Sequence, residues 1–246
     1  MAPTSSELKN ARTCLNEASK VVCFSGAGLS AESGISTFRD HGTESLWSRY
    51  DPMKLASPEG FAEDPDTVIQ WYNWRRQMIA NAHPNAAHRA LAARADISQI
   101  TQNVDNLLER AGCEREQVIH LHGDITRDRC HNQCGFSTEI DLIKGTGESP
   151  CPRCGAPLRP AVVWFGESLP QTEWQRAETL CQQADCLMVV GTSAQVYPAA
   201  GLIELFRHAS AGHIIIVNTQ PSEADRLADF ILDGPCGDLI PKLLQN

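Results

Sequence analysis

The chain is short of positive charge. Its 246 residues carry 21 Lys and Arg against 30 Asp and Glu, a formal net charge of −9, and that balance opposes non-specific attraction to nucleic acid or to an anionic membrane surface. Nothing in it approaches the roughly 20 consecutive apolar residues that span a bilayer, so no transmembrane helix is expected. The opening MAPTSSELKNARTCLNEA has no basic segment followed by an apolar one. It reads as a first amphipathic helix rather than a secretion signal, and cytoplasmic residence is the expectation. Internal repeats, low-complexity tracts and Gly/Ser-rich linkers are missing as well, which gives no sign of separately tethered domains.

Cysteine is not scarce. Ten in a chain that is neither small nor evidently secreted point to thiols and metal ligands rather than disulfides. Cys14, Cys23, Cys113, Cys181, Cys186 and Cys236 are scattered through core-like sequence and read as small buried hydrophobes. Cys130, Cys134, Cys151 and Cys154 are clustered instead. Four thiolates at such spacing close a tetrahedral zinc site, and a closed site leaves no position for water or substrate, so the metal is expected to be structural. His131 lies inside the first pair as an alternative ligand.

Short apolar runs at Val21–Phe24, Ile97–Thr101, Val118–His120, Leu187–Val190 and Ile214–Val217 alternate with helix-like stretches. That order predicts an α/β fold, a Rossmann-like doubly wound parallel sheet over residues 1–40, 85–126 and 160–246. Two segments break the pattern and are expected to form a smaller domain: a Trp-rich helical insertion at 41–84 and a Cys-, Gly- and Pro-rich zinc module at 127–159. In open α/β sheets ligands bind beyond the carboxyl ends of the strands, so the loops after Phe24, Thr101, Val190 and Val217 are where a site should lie.

The first of these loops reads Gly26-Ala27-Gly28-Leu29-Ser30. Its small residues suit backbone approach to a pyrophosphate, but the GxGxxG spacing of dinucleotide dehydrogenases is absent. The longer string GAGLSAESGISTFR is far more specific. With TQNVD at 101–105, HLHG at 120–123, the paired cysteines, LRPAVVWFGE at 158–167, GTS at 191–193 and NT at 218–219, it resembles the sirtuins over nearly the whole length. Two positions depart from the family pattern: Ser36 stands where proline is usual, and Ala161 where an acidic residue or histidine is common.

The resemblance implies an NAD-dependent protein-lysine deacylase in which the acyl oxygen attacks the ribose carbon of NAD as nicotinamide leaves. The resulting imidate collapses to free lysine and O-acyl-ADP-ribose. It implies that Gly26, Ala27, Gly28, Ser33, Ile35, Phe38, Arg39, Trp47, Gln102, Asn103 and Asp105 surround the phosphate, ribose and nicotinamide. Gly191, Thr192, Ser193, Asn218, Thr219 and Cys236 fall to the adenosine half. Asn103 and His122 are the implied catalytic residues. An unperturbed imidazole pKa near 6.5 suits His122 to take a proton from a ribose hydroxyl. Taken alone, TQNVD reads more readily as a turn.

Tyr72 and Arg75, at i and i+3 in a predicted helix, share one face. On spacing alone they are an ordinary solvated pair, but YxxR resembles the sirtuins that remove succinyl and malonyl groups. A carboxylate tail needs a forked cationic partner, which Arg provides better than Lys. Ala56 resembles the small residue that leaves room for this tail, while Val163, Phe165, Gly166 and Glu167 resemble the peptide-binding edge. The partners implied are acyl-lysine proteins, with neither nucleic acid nor membrane. An ADP-ribosyltransferase or NAD glycohydrolase built on the same site is the alternative. A nucleic-acid-binding zinc protein is opposed by the acidic balance, and a hydride-transferring dehydrogenase by the missing glycine fingerprint.

Overall fold

The structure is a computed structural model that describes residues 3–36, 51–147 and 149–245. Among them, six strands form one parallel sheet: β1 (Val21–Ser25), β2 (Ile97–Thr101), β3 (Val118–His120), β7 (Cys186–Val190), β8 (His213–Asn218) and β9 (Phe230–Asp233). The order is β3-β2-β1-β7-β8-β9, every neighbouring pair parallel. The chain winds outward from β1 to β3, then returns to lay β7 on the other side of β1. The switch point therefore falls between β1 and β7.

β1 and β7 are buried along their whole length because helices cover both faces of the sheet. Alternate residues enter different cores: Val21 and Cys23 pack with Leu15, Leu91 and Ile240, while Val22 and Phe24 pack with Ala177, Ile203 and Phe206. The expected first helix runs Ser5–Glu17. It is closed by a capping box in which the Thr4 hydroxyl accepts from Glu7 N at 3.2 Å and the Glu7 carboxylate from Thr4 N at 2.7 Å. β9 was not anticipated, because FILD is too short to separate from a loop by pattern, and only its pairing with β8 makes it a strand.

A second, antiparallel sheet has the order β5-β4-β6, with β4 (Gly123–Cys130), β5 (Ser137–Glu139) and β6 (Leu158–Val162). β4 begins at Gly123 and β6 ends at Val162, so this sheet reaches beyond the 127–159 segment on both sides. Helix Pro65–Asn81 starts at an Asp64 cap with proline in its first turn. It packs Val68, Trp71 and Tyr72 against Ile125, Val162 and Trp164. Arg76 from this helix is fully buried and pairs with Asp128 of β4 at 2.7 Å, tying the helix to the small sheet. No helix among the described residues is long and apolar enough to cross a membrane.

Candidate active site

At the switch point the loops after β1 and β7 touch backbone to backbone. Gly26 N donates to Val190 O at 2.9 Å and Gly28 N to Gly191 O at 2.8 Å. A Cβ on Gly28 would sit 2.7 Å from Gly191 Cα, and one on Gly191 would sit 2.4 Å from Leu29 N. Here the glycines are demanded first by the contact of one loop with the other. Gly191 also has φ of 60°. Ala27 caps the single helical turn Gly28–Ala31. Past that turn, Ser33 Oγ is buried with no hydrogen-bond partner among the described residues, while Ile35 packs beside Trp71 and Tyr72. Phe38, Arg39 and Trp47 lie outside the described residues.

The loop after β2 carries a chain of polar contacts. Ser25 donates to Thr101 at 2.9 Å, Asn103 N to Thr101 Oγ1 at 3.0 Å, and Gln102 Nε2 to Thr192 Oγ1 at 2.9 Å, which joins this loop to the one after β7. Asn103 Nδ2 reaches Ser30 Oγ at 3.2 Å, and Ser30 donates to Asp105 Oδ2 at 3.0 Å. Burial raises the Asp105 carboxyl pKa, opposed by the Leu107 amide, the Ser30 hydroxyl and the charge of His120. His88 completes the group with Nε2 at 3.4 Å from Ser30 Oγ, and burial pushes its pKa down to about 4. Ser30 and His88 were not singled out from the sequence. The only signal for His88 was its place three residues after the Asn85 cap, whose backbone N donates to its Nδ1 at 3.3 Å.

His122 follows β3 with its imidazole beside the same loop. Nδ1 lies 3.0 Å from Gln102 O, a group that only accepts, so the proton sits on Nδ1 and Nε2 carries a free lone pair. Burial lowers the His122 pKa, partly countered by the Gln102 carbonyl. The ring is therefore neutral at neutral pH and able to accept a proton. On the other flank, Asn218 Nδ2 donates to Thr192 O at 3.0 Å and Thr219 N to Asn218 Oδ1 at 3.0 Å. Ser193 is half-buried beside Thr192. Cys236 starts the last helix, buried, its thiol pKa raised to about 12 by burial and the Glu32 charge, so it is no nucleophile.

Tyr72 and Arg75 sit as the periodicity requires. Tyr72 is buried and its hydroxyl accepts from Trp164 Nε1 at 2.9 Å. Burial raises the phenol pKa, so its own proton stays on and must find an acceptor elsewhere. Arg75 lies over the Trp71 ring at 4.9 Å and lines a small pocket with Ile35, Trp71 and Met78. Ala56 is buried and its carbonyl accepts from Phe165 N at 2.8 Å. Val163 N donates to His122 O at 2.8 Å. Phe165 and Gly166 are exposed in the turn that follows β6, Gly166 with φ of 85°. Glu167 faces inward: its carboxylate accepts from Arg129 and Trp164 N at 2.7 and 2.9 Å, and pairs with Arg159.

The Sγ atoms of Cys130, Cys134, Cys151 and Cys154 all lie within 4.8 Å of one another. The shortest separations, 3.3 Å for Cys130–Cys154 and 3.5 Å for Cys134–Cys151, exclude disulfides. Four sulfurs around zinc at about 2.3 Å stand about 3.8 Å apart in a tetrahedron, so the donor set fits that metal. His131 instead stacks on Phe61 with ring centroids 4.9 Å apart.

A sequence model of the Sir2 family matches residues 26–198. The chain is similar to NAD-dependent protein deacylase 2 of Pyrobaculum aerophilum, 45% identical over 231 residues covering 92% of this chain and 90% of that one. It is also similar to the NAD-dependent protein deacylase of Pyrococcus abyssi, 42% identical over 242 residues covering 94% of each. Among solved structures, a Sir2 homolog in complex with NAD superposes with a TM-score of 0.87 at 42% identity, covering 98% of this chain and 92% of that one.

Proposed function

The chain belongs to the Sir2 family, and from that premise we propose that it removes acyl groups from protein lysines, consuming NAD, and prefers acyl tails that end in a carboxylate. NAD supplies the electrophilic ribose carbon, whose bond to nicotinamide breaks as the acyl oxygen adds. With one water consumed, the products are nicotinamide, free lysine and O-acyl-ADP-ribose.

The observation that carries the reading is the state of His122. Its Nδ1 proton is committed to Gln102 O at 3.0 Å, which leaves Nε2 to take a ribose hydroxyl proton as general base. Asn103, braced through Ser30 to Asp105, orients the ribose side, and Asp105 receives the carboxamide amine. Gly26, Ala27, Gly28 and the partnerless Ser33 hydroxyl line the phosphate side; Gly191, Thr192, Ser193, Asn218, Thr219 and Cys236 hold the adenosine half. The four-cysteine site takes a structural zinc that braces the small sheet. All ten cysteines are unpaired, which suits work in a reducing compartment such as the cytoplasm.

The acidic preference rests on Tyr72 and Arg75. The Tyr72 O–H is left to donate because its oxygen already accepts from Trp164, and the Arg75 guanidinium is held at the pocket by Trp71. An acetyl group brings no carboxylate to this pair, a difference of about 1.5–3 kcal/mol for a charged hydrogen bond.

Mass spectrometry of one peptide carrying acetyl, malonyl or succinyl lysine, with and without NAD, tests this reading. NAD-dependent loss of the acyl mass, fastest for the acidic groups, is the expected result. Nicotinamide release that needs no acyl peptide would move the assignment to an NAD glycohydrolase.

A further inference from the structure

Two residues before His122, His120 sits in a different electrostatic setting. Its Nδ1 lies 2.9 Å from Asn103 O and its Nε2 lies 2.8 Å from Glu109 Oε1. A carbonyl can only accept, and so can a carboxylate. A neutral imidazole has one N–H, so either tautomer would aim a lone pair at an oxygen; only the doubly protonated ring satisfies both contacts. The second proton belongs to the ring, because the Glu109 contact and the Asn103 carbonyl both favour the charged imidazole.

We infer that His120 is an imidazolium and a positioning residue for catalysis, tying the Asn103 carbonyl to the Glu109 carboxylate so that the Gln102–Asp105 loop is held against His122. The inference rests on the deacylase reading for its consequence, but not for the protonation state. The carbonyls of Gln102 and Asn103, consecutive in the chain, are held by His122 and His120 respectively. Asn103 N and Nδ2 are meanwhile anchored to Thr101 and Ser30. Losing the second proton of His120 breaks one side of this bridge. The Asn103 carbonyl or Glu109 then loses its donor, and the neighbouring carbonyl that sets the His122 tautomer is freed to shift.

The surroundings favour the cation. Burial alone would lower the His120 pKa, but hydrogen bonding and charge from Glu109, the Asn103 carbonyl and the charge of Asp124 outweigh it and raise the pKa above the ordinary value. Asp105 faces it across the loop. Arg115, which pairs with Asp124 at 2.5 Å and is half-exposed, is the cation on that side. Glu109 Oε2 has no hydrogen-bond partner among the described residues, so the imidazolium is the donor that compensates this carboxylate. The sign follows: bracing by the cation is present below the raised pKa and is lost as pH rises through it. His122 thus gives the acid limb of the rate profile and His120 the alkaline limb.

Long-range proton–nitrogen NMR of the full chain, without substrates and across pH 6–10, reads both rings. The expected result is two protonated nitrogens on His120 at pH 7.5 and a neutral His122 protonated on Nδ1. A neutral His120 at that pH overturns the inference whatever the protein deacylates. For the positioning role, Glu109→Gln keeps an acceptor oxygen and removes the charge. It should move the alkaline limb of kcat to lower pH and leave the acid limb in place. His120→Gln should abolish the alkaline limb and lower kcat about tenfold, as for a lost charge-assisted hydrogen bond, with little change in KM for the peptide. An alkaline limb unmoved in Glu109→Gln, in protein shown folded by circular dichroism, refutes the role. A doubly protonated His120 in a protein that deacylates nothing would sink the deacylase reading and spare the protonation state.

Discussion

Replacing Arg76 with Met should cost the fold about 3–5 kcal/mol, the range for breaking a buried ion pair by removing one partner. Its Nε donates to Ile125 O at 2.9 Å, Nη2 to Arg127 O at 3.0 Å and to Asp128 Oδ1 at 2.7 Å, and Nη1 to Thr146 Oγ1 at 2.5 Å. Asp128 is only 2% exposed. Without the guanidinium it keeps the Thr146 hydroxyl at 3.0 Å but loses the Arg76 cation, and the Ile125 and Arg127 carbonyls each lose a donor. Against a typical total stability of about 5–15 kcal/mol this is a large fraction. Urea unfolding followed by circular dichroism measures it. Zinc release should accompany the transition, because Asp128 lies two residues before Cys130 on β4. Adding Asp128→Leu to the variant removes the stranded charge, so the double variant should be more stable than Arg76→Met alone. A loss below about 1 kcal/mol, the scale of an exposed pair, or a double variant no better than the single, would mean that Arg76 does not balance a buried charge.

Arg75→Met, one residue earlier, should lower kcat/KM on succinyl peptides by about 10- to 150-fold, the equivalent of about 1.5–3 kcal/mol. Acetyl peptides should lose little, and equal losses would contradict a carboxylate-reading pocket. His122→Ala should abolish deacylation in a folded protein, which peptide mass spectrometry and a melting curve check together. Because burial puts the His122 pKa below 6.5, the base is still mostly unprotonated at pH 6.5. The rate should therefore exceed half its plateau there and fall only at lower pH; a midpoint above 6.5 in kcat/KM would contradict that environment. Purified protein should carry one zinc per chain by elemental analysis, and strong chelation should unfold the small sheet and remove activity. Full activity without zinc would exclude a structural metal.

How much of the site could be read in advance depends on what each residue needs from its neighbours. The four clustered cysteines were legible as a candidate metal site because they come in close pairs, whereas only the tertiary structure sets His131 apart from them, its ring against Phe61. Tyr72 and Arg75 were legible as an i, i+3 pair. The same periodicity allows Arg76 at i+4, and nothing in the string tells which arginine is buried against β4 and which lines the pocket. Ser30 and His88 escaped notice because their contact spans 58 residues and joins two elements that the parallel sheet alone brings side by side.

The strand-forming runs, the parallel α/β class, the clustered cysteines and the family resemblance are all written in local pattern or in strings long enough to be specific. Tertiary structure decided protonation and placement. His120 and His122 are two residues apart on adjoining stretches of backbone, yet one faces two acceptors and the other a single one. A histidine's charge is set by the oxygens its fold puts within 3 Å of its ring, and those belong to residues 11 to 20 positions away along the chain.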